Sequence, residues 1–149
     1  TAVDTAALSF RDLEVAYDVR GIPRPVLRGV SLEIRPGEAY GLVGESGSGK
    51  STTGRALMQM PRPDSGEVWL EGRPLSSMSG AELRRHRPDM QMIFQDPISS
   101  LNPRRRVRAI VLEPLRIWKR GTAAEQNAQM ERTLEAVGID PAAAATRCR

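Results

Sequence analysis

Hydrophobic and polar residues alternate over two stretches near the N-terminus. Leu8, Phe10, Leu13, Val15 and Tyr17 make the first, and the alternation slips once between Phe10 and Leu13. A two-residue period predicts a strand, and the slip predicts a bulge or break at Arg11-Asp12. Val30, Leu32 and Ile34 mark the second strand, over 26 to 34. Gly21, Pro23 and Pro25 predict a loop over 18 to 25 between them. Arg35-Pro36-Gly37-Glu38 predicts a type II turn. With links this short, the two strands form an antiparallel layer.

Beyond that layer the pattern changes. Glu38 to Val43 is short and mostly apolar, which predicts a buried strand, and Thr52 to Met60 is free of proline, which predicts a helix. Pro61 to Gly66 is rich in turn formers and precedes a short strand, Glu67 to Leu70. Ser79 and Glu82 have the spacing of a capping box, predicting a helix from Ala81 to about His86 that Pro88 ends. Met90 to Phe94 predicts another strand, ending at Gln95-Asp96-Pro97. A loop over 98 to 103 leads to a helix from about Arg106 to Trp118, kinked or interrupted by Pro114. Thr122 and Glu125 predict the capped start of a second helix with Met130, Leu134 and Val137 on one face and Gly138 at its C-cap. The alanine-rich stretch from Pro141 onward predicts a last helix.

Between the predicted strand at 38 to 43 and the helix after it lies Gly44-Glu45-Ser46-Gly47-Ser48-Gly49-Lys50-Ser51. Glycine at the first and sixth positions, then Lys-Ser, is the spacing of a phosphate-binding loop, and strand–loop–helix is the context it needs. The reasons are physical. The first N–H groups of a helix lack partners and its dipole is positive there, so an anion is stabilised. Gly44, Gly47 and Gly49 let the backbone turn tightly and approach a phosphate. Lys50 would set an ammonium on the β- and γ-phosphates, and Ser51 would give its hydroxyl to Mg²⁺. The plainer alternative is a glycine-rich turn with an incidental Lys-Ser. Against it, the chain carries 20 Arg and only 2 Lys, so a lysine here points to a need for a compact ammonium.

Composition bounds the remainder. A 149-residue chain with 40% hydrophobic residues suits one globular domain with a real core. No apolar run approaches a membrane span of about 20 residues, and Thr1-Ala2-Val3-Asp4 lacks a signal-peptide pattern. The single cysteine, Cys148, excludes an internal disulfide framework and fits a reducing compartment. The net charge of +4 would favour an anionic ligand, RNA or a membrane surface.

Three other positions carry candidate chemistry. Tyr17 either stacks on an adenine ring or is a half-buried strand tyrosine. Gln95 stands at the carboxyl end of a predicted strand, where ligands of α/β sheets bind, and its amide can meet a metal or a water. The run Arg104 to Arg108 would bind nucleic acid or simply begin a solvated helix, and it has no interleaved aromatics to stack bases. His86, the only histidine, has no ligand cluster or nucleophile nearby in sequence and is read as a solvated helix residue without a role.

Together these stretches resemble the ATP-binding subunit of an ABC transporter. Gly41 to Thr52 has the family's form of the loop, and Pro63-Asp64-Ser65-Gly66-Glu67-Val68, followed by Gly72, matches the turn and strand after its first helix. Met92-Ile93-Phe94-Gln95-Asp96-Pro97-Ile98-Ser99-Ser100-Leu101-Asn102-Pro103-Arg104 is similar to the Q-loop segment of oligopeptide/dipeptide-type importers, a group that includes nickel and glutathione systems. The resemblance implies an α/β, P-loop NTPase (RecA-like) core with an N-terminal antiparallel β layer over residues 1 to 97, the sheet being incomplete, and the start of a helical subdomain over 98 to 149. It implies ATP and Mg²⁺ as ligands. Gly44, Glu45, Ser46, Gly47, Ser48, Gly49, Lys50, Ser51 and Thr52 would hold the phosphates, Tyr17 would stack on adenine, and Ser51 and Gln95 would serve Mg²⁺. Gln95 would also sense the attacking water and couple the site to the membrane partner.

The implied partners are permease subunits, a second ATP-binding subunit and, indirectly, a solute-binding protein. The implied location is the cytoplasmic face of the inner membrane. The family's signature sequence, the strand with the Mg²⁺-binding Asp, the catalytic Glu and the switch His would fall beyond Arg149. The chain is therefore expected to match the N-terminal portion of the domain, with weak nucleotide binding, negligible hydrolysis alone and a tendency to associate through exposed strand edges. Two other functions fit less of the pattern. One is an ABC ATPase without a membrane partner, and the other is a non-catalytic nucleic-acid module using Arg104 to Arg108.

Overall fold

The computed structural model describes residues 6 to 96 and 100 to 145. The chain divides into two compact units, Thr1–Met92 and Ile93–Arg149. The first is built on one antiparallel sheet, in the order β2-β1-β3-β4. Its strands are β1 (Leu8–Val19), β2 (Ile22–Ile34), β3 (Ser65–Leu70) and β4 (Arg73–Pro74).

The predicted layer of two antiparallel strands is β1 and β2, but the predicted loop over 18 to 25 is a hairpin. Pro23 and Pro25 lie inside β2, opposite Asp18 and Ala16. The reason is topological: β2 is an edge strand, the place where a sheet tolerates residues that cannot donate a ladder bond. Arg20 and Gly21 both have positive φ, 58° and 78°, which suits a two-residue turn that follows strand twist. The Gly21 N–H donates to Asp18 Oδ1 at 2.8 Å and secures it.

The expected bulge is present. The β1–β2 register slips between Phe10 and Leu13, and Asp12 has φ 50°. The slip turns Leu13 fully inward, at 0% exposure. Gly66 passes so close to the bulge that an added Cβ would stand 2.5 Å from the Asp12 carbonyl oxygen and 2.6 Å from that of Arg11. Phe10, Leu13, Val15 and Leu27 of the sheet then pack with Ala56 of helix α1 (Lys50–Leu57) and with Leu83 of helix α2 (Gly80–His86). This packing seats α1 on the sheet.

Two predicted strands do not form. Residues 38 to 43 and 90 to 94 have no strand assignment, and neither joins the sheet. An apolar run becomes a strand only when neighbouring backbone takes up its N–H and C=O groups. The four-stranded sheet supplies no such neighbour to these runs. Several of their apolar side chains stay exposed, Val43 at 94% and Ile93 at 95%, whereas Met90 packs against the core. Tyr40 and Leu42 line a cavity of about 350 Å³ beside α1, with Val30, Leu32 and Leu57.

Helix α2 starts on the predicted capping box: Ser79 accepts from the Glu82 N–H, and Glu82 accepts from the Ser79 N–H at 2.8 Å. The hydrogen bonds from Ser79 hold the Glu82 carboxyl below the usual glutamate range. A 3₁₀ turn, Arg87–Asp89, follows where Pro88 was expected to end the helix. His86 is half-buried, not simply solvated, and its Nδ1 lies 3.3 Å from Arg73 Nη1 and 3.3 Å from Asp89 Oδ2.

The second unit pairs helix α3 (Val107–Ile117) with α4 (Ala123–Ala136). Pro114 lies inside α3 without ending it. Thr122 and Glu125 form the second capping box, and the Thr122 hydrogen bonds lower the Glu125 pKa. Leu112, Met130, Leu134 and Ala144 make the core. Val137 does not share that face. The helix ends at Ala136, and Val137 stands 67% exposed in the cap. Gly138 (φ 76°) follows with N–H bonds from Gly138 to Glu135 and from Ile139 to Leu134, a Schellman ending. Of the alanine-rich stretch, Ala143–Ala145 forms a 3₁₀ turn, shorter than the expected helix. Residues 146 to 149, with Cys148, lie outside the described residues, as do Pro97, Ile98 and Ser99 of the 92 to 104 stretch.

Candidate phosphate-binding site

Helix α1 begins at Lys50, two residues before the predicted start, so Lys50 and Ser51 are its first two residues. Its N-cap is Gly49, at φ 96°, and no side chain caps it. The donors of its first turn are thus left to a ligand or to water. Gly49 is required twice over. Its φ is one that residues with a Cβ rarely adopt, and an added Cβ would meet Leu27 Cδ2 at 2.9 Å. Leu27 of β2 is therefore the floor on which the loop rests. Nothing in the sequence pattern around Leu27 marks it for this role, because the contact is made across the fold.

The loop itself is exposed and folds around the lysine. Lys50 Nζ donates to the Gly44 carbonyl oxygen at 2.7 Å, to that of Glu45 at 2.6 Å and to Ser48 Oγ at 3.3 Å. The Ser48 N–H donates to the Glu45 carbonyl at 3.2 Å and closes the turn. A Cβ on Gly44 would stand 2.7 Å from Ser48 Oγ, so a larger residue there would have to push the serine side chain aside. Thr53 ties the helix start down, with its N–H and hydroxyl both donating to the Gly49 carbonyl, at 2.8 and 3.0 Å.

These residues fit a polyphosphate in kind: a glycine cradle, an uncapped helix N-terminus, an ammonium and hydroxyls at the mouth. They also fit the way Mg²⁺ is held. Among the described residues no cluster of three or more His, Cys, Asp or Glu is placed to bind a metal. A magnesium site that relies on phosphate oxygens and water needs few protein ligands, and the exposed Ser51 hydroxyl would be one.

The other predicted site residues are described each in its own unit. Tyr17 is in β1, half-buried, opposite Arg24, and packs against the sheet core. Gln95 is exposed at a bend in the second unit. In the basic run, Arg105 pairs with Glu113 at 2.6 Å and Arg108 donates to Asn127 Oδ1 at 2.8 Å. Arg105 thus ties the lead-in of α3 to that helix, and Arg108 joins α3 to α4.

Comparison with known proteins places the chain. The ABC transporter family model matches residues 27 to 148. A peptide import ATP-binding protein of Brucella ovis is 41% identical over 138 residues, 93% of this chain and 44% of that protein. The oligopeptide transport ATP-binding protein AppF of Bacillus subtilis is 42% identical over 142 residues, 90% of this chain and 43% of that protein. The glutathione import ATP-binding protein GsiA of Salmonella paratyphi A is 45% identical over 112 residues, 75% of this chain and 18% of that protein. The chain spans less than half the length of the curated relatives it matches.

Among solved structures, the ATP-binding cassette MJ0796, a dimer bound to ADP and Pi, superposes with a TM-score of 0.78 at 23% identity, over 94% of this chain and 61% of that one. The cbiO1 protein of Clostridium perfringens, part of the complex cbiONQ, does so with a TM-score of 0.70 at 21% identity, over 91% of this chain and 51% of that one. Those likenesses show the fold of part of an ATP-binding cassette, and the family match and the sequence relatives show that the chain belongs to the ABC transporter family.

Proposed function

We propose that this chain is the nucleotide-binding portion of an ATP-hydrolysing subunit that energises import of peptides or similar solutes, such as nickel or glutathione. The observation that carries the reading is the loop 44 to 51 at the N-terminus of α1, with Lys50 and Ser51 as the first helical residues. The peptide and glutathione import named for the relatives supports the solute class.

In this reading Gly44 to Gly49 wrap the phosphates with backbone N–H groups, with Ser46, Ser48 and Thr52 beside them. Lys50 leaves the Gly44 and Glu45 carbonyls and turns its ammonium to the β- and γ-phosphate oxygens. Ser51 offers its hydroxyl to Mg²⁺, which when bound neutralises phosphate charge. Tyr17 presents its ring to adenine. Gln95 orients the attacking water and reports on Mg²⁺. Residues 1 to 97 act as the nucleotide-binding core and 98 to 149 as the start of the helical subdomain that docks on permease subunits.

A second ATP-binding subunit completes the assembly, and a solute-binding protein delivers cargo. No helix among the described residues is long and apolar enough to cross a membrane. In this reading attachment at the cytoplasmic face runs through the permease. These 149 residues carry the glycine loop without the family's Mg²⁺-binding Asp or catalytic Glu, so we expect negligible turnover from them alone.

Titration of the chain with ATP, with and without Mg²⁺, tests the site. Binding that strengthens with Mg²⁺ and is lost in Lys50→Ala is expected. Equal binding by Lys50→Ala would remove the loop from the function.

A further inference from the structure

Helix α1 has two ends, and only one carries the phosphate loop. The near end rests on Leu27 through Gly49. The far end closes in a Schellman ending: the Gln59 N–H donates to the Ala56 carbonyl and the Met60 N–H to that of Arg55, both at 2.9 Å. The residue in the left-handed position is Gln59, at φ 55°, where glycine is usual. Gln59 is 5% exposed, and its side-chain Nε2 donates back to the Ala56 carbonyl at 3.1 Å. The carbonyls of Met58 and Gln59, just past the last helical residue Leu57, both accept from one guanidinium. Arg87 Nη1 donates to Met58 O, and Nη2 donates to Gln59 O at 3.4 Å.

Arg87 therefore meets the C-terminal end of α1 with a fork of two donors and a full positive charge, the sign that a helix C-terminus favours. It comes from far along the chain, in the 3₁₀ turn after α2. The segment beyond it continues against the same helix: Met92 Cε would touch a Cβ placed on Gly54 at 3.5 Å. A helix of eight residues is about 12 Å long. Holding both ends of so short a rod fixes its axis, and the axis sets where the N-terminal N–H groups, Lys50 and Ser51 point.

We propose that Arg87 is a positioning residue for the nucleotide site, acting through the far end of α1. The proposal rests on the nucleotide-site reading above, and the test separates the two. Hydrogen exchange followed by mass spectrometry on the full chain reads the clamp without any nucleotide. In Arg87→Met, exchange at Met58 to Met60 and along α1 should speed by about tenfold, with β1 and β2 unchanged, since bonds to charged donors are the strong ones. Arg87→Lys, which keeps the charge and one donor, should fall between. Unchanged exchange in α1, or equal acceleration in α1, β1 and β2, would overturn the proposal.

In parallel, a fluorescent ATP analogue is titrated into wild type, Lys50→Ala and Arg87→Met. Binding about tenfold weaker in Arg87→Met, with the sheet still protected, is the expected result. Binding equal to wild type in Arg87→Met but lost in Lys50→Ala would overturn the positioning role. Binding alike in wild type and Lys50→Ala would sink the nucleotide-site reading, and the exchange measurement would still decide the clamp.

Discussion

The Lys50 ammonium donates to the Gly44 carbonyl oxygen at 2.7 Å, so the loop closes on its own side chain. The same ammonium donates to the Glu45 carbonyl at 2.6 Å. Neutral carbonyls hold a cation less strongly than anionic phosphate oxygens do. On the proposed function a nucleotide would therefore draw Lys50 off these partners.

A direct consequence concerns Lys50→Arg. It keeps the charge but replaces a compact ammonium by a planar fork that does not suit a pocket of converging carbonyls. We expect Lys50→Arg to lose at least about tenfold in MgATP affinity, close to the effect of Lys50→Ala. Calorimetric titration of both variants beside wild type is the check. Full affinity in the arginine variant would show that charge alone suffices.

Gly66 and Gly29 have similar positive φ, 94° and 72°, but different surroundings. A Cβ at Gly66 would strike backbone carbonyls of β1, which cannot swing aside, whereas Gly29 has nothing within 4 Å. Gly66→Ala should cost roughly 2–4 kcal/mol by clash and backbone strain together, and Gly29→Ala roughly 1 kcal/mol from strain alone. Urea unfolding of the two variants measures the difference. Equal costs would mean that the β1 bulge can yield.

In the helical unit, Leu134 is 1% exposed and Val137 is 67% exposed. Leu134→Ala should cost about 2–5 kcal/mol through lost burial and the cavity left behind. Val137→Ala should stay within about 0.5 kcal/mol. Thermal melts followed by circular dichroism would separate them.

Glu82 and Glu125 both have lowered pKa values because each carboxylate accepts hydrogen bonds from its cap residue, Ser79 or Thr122. A carboxyl whose folded pKa is depressed stabilises the fold above its unfolded value. That stability is lost as pH falls from the ordinary glutamate value, about 4.3, through the lowered one. The first turns of α2 and α4 should therefore fray in that acidic window. NMR of the Ser79 and Thr122 amides would follow it, and Glu82→Gln and Glu125→Gln should flatten the pH response. Amide shifts that titrate unchanged in the glutamine variants would assign the effect to other carboxyls.

Much of the chain could be read from its order of residues because the determining interactions are short in sequence. The β1 alternation and its slip at Asp12, both capping boxes, the turn at Pro36-Gly37 and the Gly138 cap each depend on residues within a few positions. The glycine loop before α1 was legible for the same reason: its glycines, Lys50 and Ser51 form one contiguous stretch.

What only the tertiary structure decided depends on partners distant in sequence. Residues 18 to 25 look like a loop by composition, yet they form a hairpin because β2 lies at a sheet edge that accepts Pro23 and Pro25. Residues 38 to 43 and 90 to 94 have strand composition but no ladder, since pairing is set by neighbouring backbone and not by hydrophobicity. Leu27 beneath Gly49 and Arg87 on the Met58 and Gln59 carbonyls join residues more than 20 apart in the chain. No local pattern marks such contacts, because they exist only once the sheet, α1 and the turn after α2 have packed together.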